Sequence, residues 1–362
     1  MKIEAHSPTI RRREMDAVLT AMVEDRIGPG ECSRTLVQTA KEQLRFDFAL
    51  ALRSPATALS IALSSLGLCD GDGVLLSALS PQYYARAIAD LRLKPLYCDV
   101  ASFSFPCMGR ENIEKAISQR PDGVQPKCIL LHHTLGFTPD AASIAETGIP
   151  IIEDISQSYA APALPDEKKD GEGDAGETPE VRAERTHGVF EILGLEERDM
   201  LTSGGGALLF AMARRDASVL RGFSELPPEY CLPDINAALA GVQLKETQRN
   251  TERRKEIAKI YTQASLRTKH RRFAAIEGFE YNDYAFALVL ESSMKDVAAY
   301  ARKKEIIVEN AFAKSLAGTG AVDSGLCPTA YSLSLRTVLF PLYPRLRSAE
   351  TERVSKLIMT LP

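Results

Sequence analysis

Asp154 closes the apolar run IPIIED, and a carboxylate at the carboxyl end of a strand stands where an α/β sheet presents its site groups. The same side chain would equally suit a cap on the helix that follows. Pro55 suits the first position of another helix, where a missing N–H costs nothing. Three consecutive glycines, Gly204 to Gly206, lack both the lysine of a phosphate loop and the spacing of a dinucleotide fingerprint, so they read as a tight turn between strands. Between Lys169 and Lys245 there is no lysine at all, so that stretch offers no amine nucleophile. The cysteines, Cys32, Cys69, Cys98, Cys107, Cys128, Cys231 and Cys327, show no close pair and no metal-type spacing with histidine. They read as reduced, mostly buried small residues, and no metal site is expected.

Positioning such groups takes a sheet. Apolar runs at 48–52, 73–77, 95–100, 128–132 and 149–153 read as buried strands, and 56–66, 83–91 and 111–118 carry helical spacing. Strand and helix in alternation predict an α/β fold, mostly parallel, with helices on both faces. Further on, 208–212 and 284–290 read as strands, with helices at 234–265 (Asp234 as N-cap), 294–304 and 348–359. The expected organisation is a large α/β domain over 31–240 and a smaller α+β domain over 241–362, which the segment 1–30 joins. The stretch 165–182, containing DEKKDGEGDAGETPE, is acidic and without apolar periodicity, and is expected to be a flexible insertion.

A net charge of -4 and a pI near 5.9 offer no field for nucleic acid, so none is expected as partner. No window reaches the length of a membrane span and the N-terminus lacks the apolar core of a signal peptide, so the expectation is a cytoplasmic protein without a membrane partner.

The fragments LRSPATALSIALSSLGLCDGDGVLLSALS, KPLYCDV, LLHHTLGFTPD, IPIIEDISQSYAA, SGGGALL, LPDINAALAGVQL and CPTAYSLSLRTVLFPLYPRL follow one another in an order that resembles the DegT/DnrJ/StrS aminotransferases. That family is the sugar-modifying branch of the fold type I pyridoxal-phosphate (PLP) enzymes. The resemblance implies a fold type I PLP-transferase-like architecture and a homodimer that aminates a keto group on a nucleotide-linked sugar. By the same resemblance Asp154 stands at the place of the carboxylate that holds the pyridine nitrogen, Gln157 at a polar cofactor contact, and His133 and Asp140 at site positions after the fourth strand. Ser54, Ala56 and Ser80 fall at cofactor-binding positions as well.

The departures fall on the chemistry. Counted back from the glycines, the Schiff-base lysine aligns with Arg198, whose guanidinium stays protonated and is not a nucleophilic amine. A solvated side chain in the run EERD explains Arg198 as well as any cofactor contact does. Pro55-Ala56 replaces Gly-Thr at the phosphate, Pro81 replaces the aromatic platform, Leu193 a phosphate-binding serine, and Glu229 and Cys231 the asparagine and arginine of the partner subunit. Tyr83 or Tyr84, one turn along from Pro81, could substitute for that platform, but an ordinary packing role is the favoured reading for both.

The expectation is a degenerate homologue, a pseudoenzyme binding little or no PLP and serving in sugar-nucleotide binding, regulation or scaffolding. The alternative is a PLP- or PMP-dependent aminotransferase or dehydratase for a nucleotide-linked keto-sugar in polysaccharide or antibiotic-sugar biosynthesis. Lys168 or Lys169 would then have to swing in from the acidic insertion, at an entropic cost.

Overall fold

The computed structural model describes residues 2–159 and 187–362, apart from Arg45, Gly278 and Glu280. The expected insertion at 165–182, with Lys168 and Lys169, lies outside the described residues. Seven strands form the main sheet: β1 (Phe48–Leu52), β2 (Gly73–Ser77), β3 (Lys94–Cys98), β4 (Pro126–His132), β5 (Ile151–Asp154), β6 (Phe190–Gly194) and β7 (Ala207–Ala211). Their order is β1-β7-β6-β5-β4-β2-β3, with parallel pairing from β3 through β6 and β7 antiparallel to both its neighbours.

Every residue of β2, β5, β6 and β7 is buried, because helices cover both faces of the sheet. The pleat sorts their side chains. Leu76, Leu130, Ile152, Ile192 and Leu209 meet the helices Pro55–Ser65 and Tyr83–Asp90 in one core layer. Their neighbours Leu75, Ile129, Leu131, Leu193, Leu208 and Phe210 point the opposite way into two other clusters. This alternation decides which polar residues at the carboxyl ends of β4 and β5 share a face.

A second sheet, β8 (Phe286–Val289), β9 (Glu309–Asn310) and β10 (Thr337–Phe340), is antiparallel in the order β8-β10-β9. Its core takes Ile257 and Tyr261 from the helix Thr247–Ser265, Val354 and Ile358 from Ser348–Met359, and Ile3, which bridges to Ile306. The next helix, Arg12–Val23, packs on Asp234–Lys245, where Gln243 Nε2 donates to Thr9 O (2.7 Å) and Glu14 Oε1 (3.0 Å).

The single helix expected over 234–265 is two, Asp234–Lys245 and Thr247–Ser265, broken at Glu246. Thr247 Oγ1 donates to the carbonyls of Gln243 and Leu244 at 3.0 and 2.9 Å, and Glu246 accepts from Arg13 at 2.5 Å and Arg249 at 3.2 Å. Asp234 is not the N-cap of its own helix, a position held by Pro233. Its carboxylate instead accepts from Gly30 N, Cys32 N and Ser33 N at 2.9–3.0 Å, covering the start of the helix Glu31–Leu44.

Candidate functional site

The parallel strands β4 and β5 deliver His132 and Asp154 to the same edge of the sheet, as register partners. Asp154 is buried, and donors from within the chain surround it. Its Oδ2 accepts from the Tyr84 hydroxyl at 2.5 Å and the Tyr83 hydroxyl at 3.2 Å. Its Oδ1 accepts from Ser156 N at 3.0 Å and Ser156 Oγ at 2.5 Å, and Ser156 Oγ in turn accepts from Gly194 N at 2.7 Å. An ionised carboxylate accepts about four hydrogen bonds, and this one has four. Burial first, and then the neighbouring Asp154, raises both tyrosines well above the ordinary phenol range, so both remain protonated donors.

Asp199 follows β6 in the loop that carries Arg198. Its Oδ2 accepts from Glu196 N at 2.8 Å and lies so near Gly194 that a Cβ there would sit 2.3 Å away. Burial pushes the Asp199 carboxyl well above the usual range against the pull of the Glu196 N–H, and Asp154 pushes it further. The two carboxyl groups differ in their partners: Asp154 accepts four hydrogen bonds, whereas burial favours the protonated form of Asp199.

The cleft between the two sheets holds about 460 Å³, lined by Pro81, His132, Gln157, Arg198, Asp199, Tyr284 and Lys314 among others. Lys314 comes from a segment laid along residues 78–82, where Gln82 N donates to Lys314 O (3.3 Å), Leu316 N to Ser80 O (3.1 Å) and Ala317 N to Ala78 O (2.8 Å). Gln157 is turned by its Oε1, which accepts from Leu135 N at 2.7 Å. The chain turns there with Leu135 at φ 56° and Gly136 at φ 85°. A Cβ on Gly136 would lie 2.2 Å from Asn282 Oδ1, so only glycine admits the segment that brings Tyr284 to the cleft.

Arg198, at the aligned lysine position, forms a two-point ion pair with Glu309 of β9: Nη2 to Oε1 is 3.1 Å and Nη1 contacts Oε2. Roughly half of the Arg198 side chain is exposed (48%). Close by, the N-terminal segment touches the same loop through His6 Nε2 and Glu197 O, 2.9 Å apart.

Several expected site residues lie elsewhere. His133 does not line the cleft: its Nε2 is 3.1 Å from Glu153 Oε2 and its Nδ1 2.6 Å from Ser158 Oγ, in a buried cluster where Glu153 also accepts from His187 N and Gly188 N. The histidine that lines it is His132, with Nδ1 3.0 Å from Thr134 Oγ1. Ser80 is fully buried, and its neighbours Leu79 and Pro81 line the cleft in its place. Ser54 caps its own helix by accepting from Thr57 N at 3.1 Å. Ala56 lines a second cavity of about 300 Å³ together with Thr57, Ser60, Tyr83, Phe223 and Tyr230. Asp140 caps the short helix Ala141–Ala145 through Ser143 N. Leu193 points into the opposite core, Glu229 is exposed in a turn, and Cys231 pairs with Leu52. The residues missed from sequence are His132, Asp199 and Lys314, and Tyr83 and Tyr84 were expected to pack rather than to meet Asp154. Of these, His132 closes the strand expected over 128–132 and Tyr83 and Tyr84 open the helix expected over 83–91, whereas Asp199 and Lys314 carry no periodic signal.

Sheet order, a lone antiparallel β7 and a cleft at the carboxyl ends of the strands define a fold type I aminotransferase-like protein. The sequence matches the DegT/DnrJ/EryC1/StrS aminotransferase family over residues 8–178 and 216–359, and the chain belongs to that family. Arg198 falls between the two matched spans. A dTDP-4-dehydro-2,3,6-trideoxy-D-glucose 4-aminotransferase of Saccharopolyspora spinosa is 24% identical over 98% of this chain and 95% of its own. Among solved structures, an aminotransferase from Streptoalloteichus hindustanus superposes with a TM-score of 0.82 at 19% identity, covering 99% of this chain and 98% of that one. The E. coli GDP-4-keto-6-deoxy-D-mannose-3-dehydratase, solved with hydrated PLP, gives 0.79 at 14% identity, with 99% of each chain covered. Among the described residues no helix is long and apolar enough to cross a membrane, and no cluster of three or more His, Cys, Asp or Glu side chains is arranged to hold a metal.

Proposed function

We propose that this chain is a degenerate member of its family, without Schiff-base chemistry, that holds a nucleotide-linked sugar and regulates or scaffolds sugar modification as a homodimer in the cytoplasm. One observation carries the reading: where the family's lysine aligns, Arg198 is engaged by both oxygens of Glu309. A guanidinium so held is neither nucleophilic nor able to give up a proton at working pH.

The other contacts a PLP molecule needs point the same way. A lysine amine, a carboxylate for the ring nitrogen and N–H donors for the phosphate are what would hold it, and PLP would supply an electron sink. Here the Asp154 oxygens are fully engaged, Pro55 has no N–H and the Thr57 N–H is turned back to Ser54. These residues do not fit the group, and no reaction step is assigned to it. The sugar-nucleotide ligand is inferred from relatives such as the Saccharopolyspora spinosa aminotransferase.

The test is to incubate the full chain with PLP, reduce with borohydride and map adducts by mass spectrometry. No aldimine absorbance and no lysine adduct are expected. A stoichiometric adduct that vanishes when a single lysine is replaced would sink the reading. The competing reading, a PLP- or PMP-dependent aminotransferase or dehydratase, draws on His132 at the cleft and on the likeness to the dehydratase fold. Glutamate-dependent amine formation on a keto-sugar nucleotide would favour it.

A further inference from the structure

The cofactor position in this fold has two ends, and one side chain of this protein reaches both. The first end is the start of the helix Pro55–Ser65, the phosphate end, where Ala56 and Thr57 line the 300 Å³ cavity. The second is Asp154, the carboxylate for the ring nitrogen. Tyr83 lines that cavity beside Ala56 and Thr57, and its hydroxyl donates to Asp154 Oδ2 at 3.2 Å. We infer that Tyr83 is the resident occupant of the cofactor position, a flat six-membered ring whose O–H makes the hydrogen bond to Asp154 that a pyridinium N–H would make.

The ring is held on several sides. Tyr84 packs edge-on against it, with centroids 5.0 Å apart and planes at 68°, and donates to the same carboxylate oxygen at 2.5 Å. The start of its helix is clamped where Pro81 bridges to Ser315 and Gln82 N donates to Lys314 O. Burial keeps its phenol protonated, so it remains a donor and adds no second charge beside Asp154. The ring thus stands between the start of the helix Pro55–Ser65, at the 300 Å³ cavity, and Asp154. Removing the ring would enlarge the 300 Å³ cavity toward Asp154 and admit a flat heteroaromatic ring bearing a phosphate.

The inference rests on the proposed loss of Schiff-base chemistry, and the probe is chosen to keep the two apart. Pyridoxamine phosphate (PMP) has no aldehyde, so its binding does not depend on any lysine. Equilibrium dialysis of PMP against the full chain is expected to show no saturable binding for the wild type and a gain of at least about tenfold in affinity for Tyr83→Ala. Tyr83→Leu, which keeps a shorter apolar side chain at the cavity wall, is expected to gain less, and it serves if the alanine variant melts abnormally. Tyr83→Phe, which keeps the ring and loses only the hydroxyl, is expected to gain nothing. The inference falls if the wild type binds PMP as tightly as Tyr83→Ala, if Tyr83→Phe gains as much, or if both shortened variants fold and neither binds. A borohydride-stable lysine adduct of the wild type with PLP would instead overturn the proposed function.

Discussion

Glu153 and Asp154 are adjacent on β5 and point to opposite faces of the sheet, and each gathers a buried polar cluster. Behind the sheet, Glu153 holds His133, which also meets Ser158, together with the N–H groups of His187 and Gly188. On the cleft face, Asp154 holds Tyr83, Tyr84 and Ser156. Among the described residues, the first cluster joins β5 to the chain around β4 and to the start of β6, a role in holding the fold. The second borders a cleft, yet its carboxylate is as completely served by the chain itself as the hidden one. Position beside a cleft does not by itself make a carboxylate available, because a group with every lone pair engaged has nothing left for a ligand. Asp199 makes the contrast sharper, since it lines the cleft and, among the described residues, accepts from the Glu196 N–H.

The comparison can be broken most forcefully from behind the sheet. Glu153→Ala strands two buried partners, His133 and the Gly188 N–H, at about 1–3 kcal/mol each, so a loss on the order of 3 kcal/mol is expected in urea denaturation. A loss under about 1 kcal/mol would show that the hidden cluster does not serve the fold. On the cleft face, Asp154→Asn puts an amide among donors, and about 1–3 kcal/mol should be lost if the cluster has become structural. Unchanged stability would mean that Asp154 is kept for a ligand.

Asp199→Asn tests the third carboxyl through pH. Burial raises the folded-state pKa of Asp199 well above the ordinary carboxyl range, so over that interval the folded chain keeps a proton that the unfolded chain releases. Its contribution is therefore fully present below about pH 4 and is lost as pH rises through the folded-state pKa. The asparagine variant has no such loss: it should be more stable than wild type at pH 8, with the difference closing toward pH 4 in denaturation series. A parallel pH course for the two proteins would remove the distinction between Asp154 and Asp199. The smallest effect is expected from Arg198→Ala, whose half-exposed ion pair with Glu309 should cost no more than about 1 kcal/mol, and less at high salt. A thermal melt showing a larger loss would give that pair a role in holding the two sheets together.

Much of the fold was legible. The run at 73–77 is β2 to the residue and the terminal helix is Ser348–Met359, because an uninterrupted apolar run and a strong helical stripe are local signals. β6 was not, since Phe190–Gly194 carries Glu191 in a buried strand, and no local pattern says that a carboxylate there will be covered from both sides. The break at Glu246 escaped as well, because Arg13, over two hundred residues away, helps to hold it. In the site, the neighbouring histidines differ only by pleat: His132 lines the cleft and His133 joins Glu153 behind it.

By itself the sequence determined the alternation of strand and helix, the place of Asp154 at a strand end and the lack of any lysine between Lys169 and Lys245. These depend on residue type and local spacing alone. Only the tertiary structure decided that Tyr83 and Tyr84 meet a carboxylate 71 and 70 residues away, and that Arg198 meets Glu309 across 111. Such meetings follow from the order in which strands join a sheet and from how one sheet faces the other. Neither is written in the periodicity of the segments that make them.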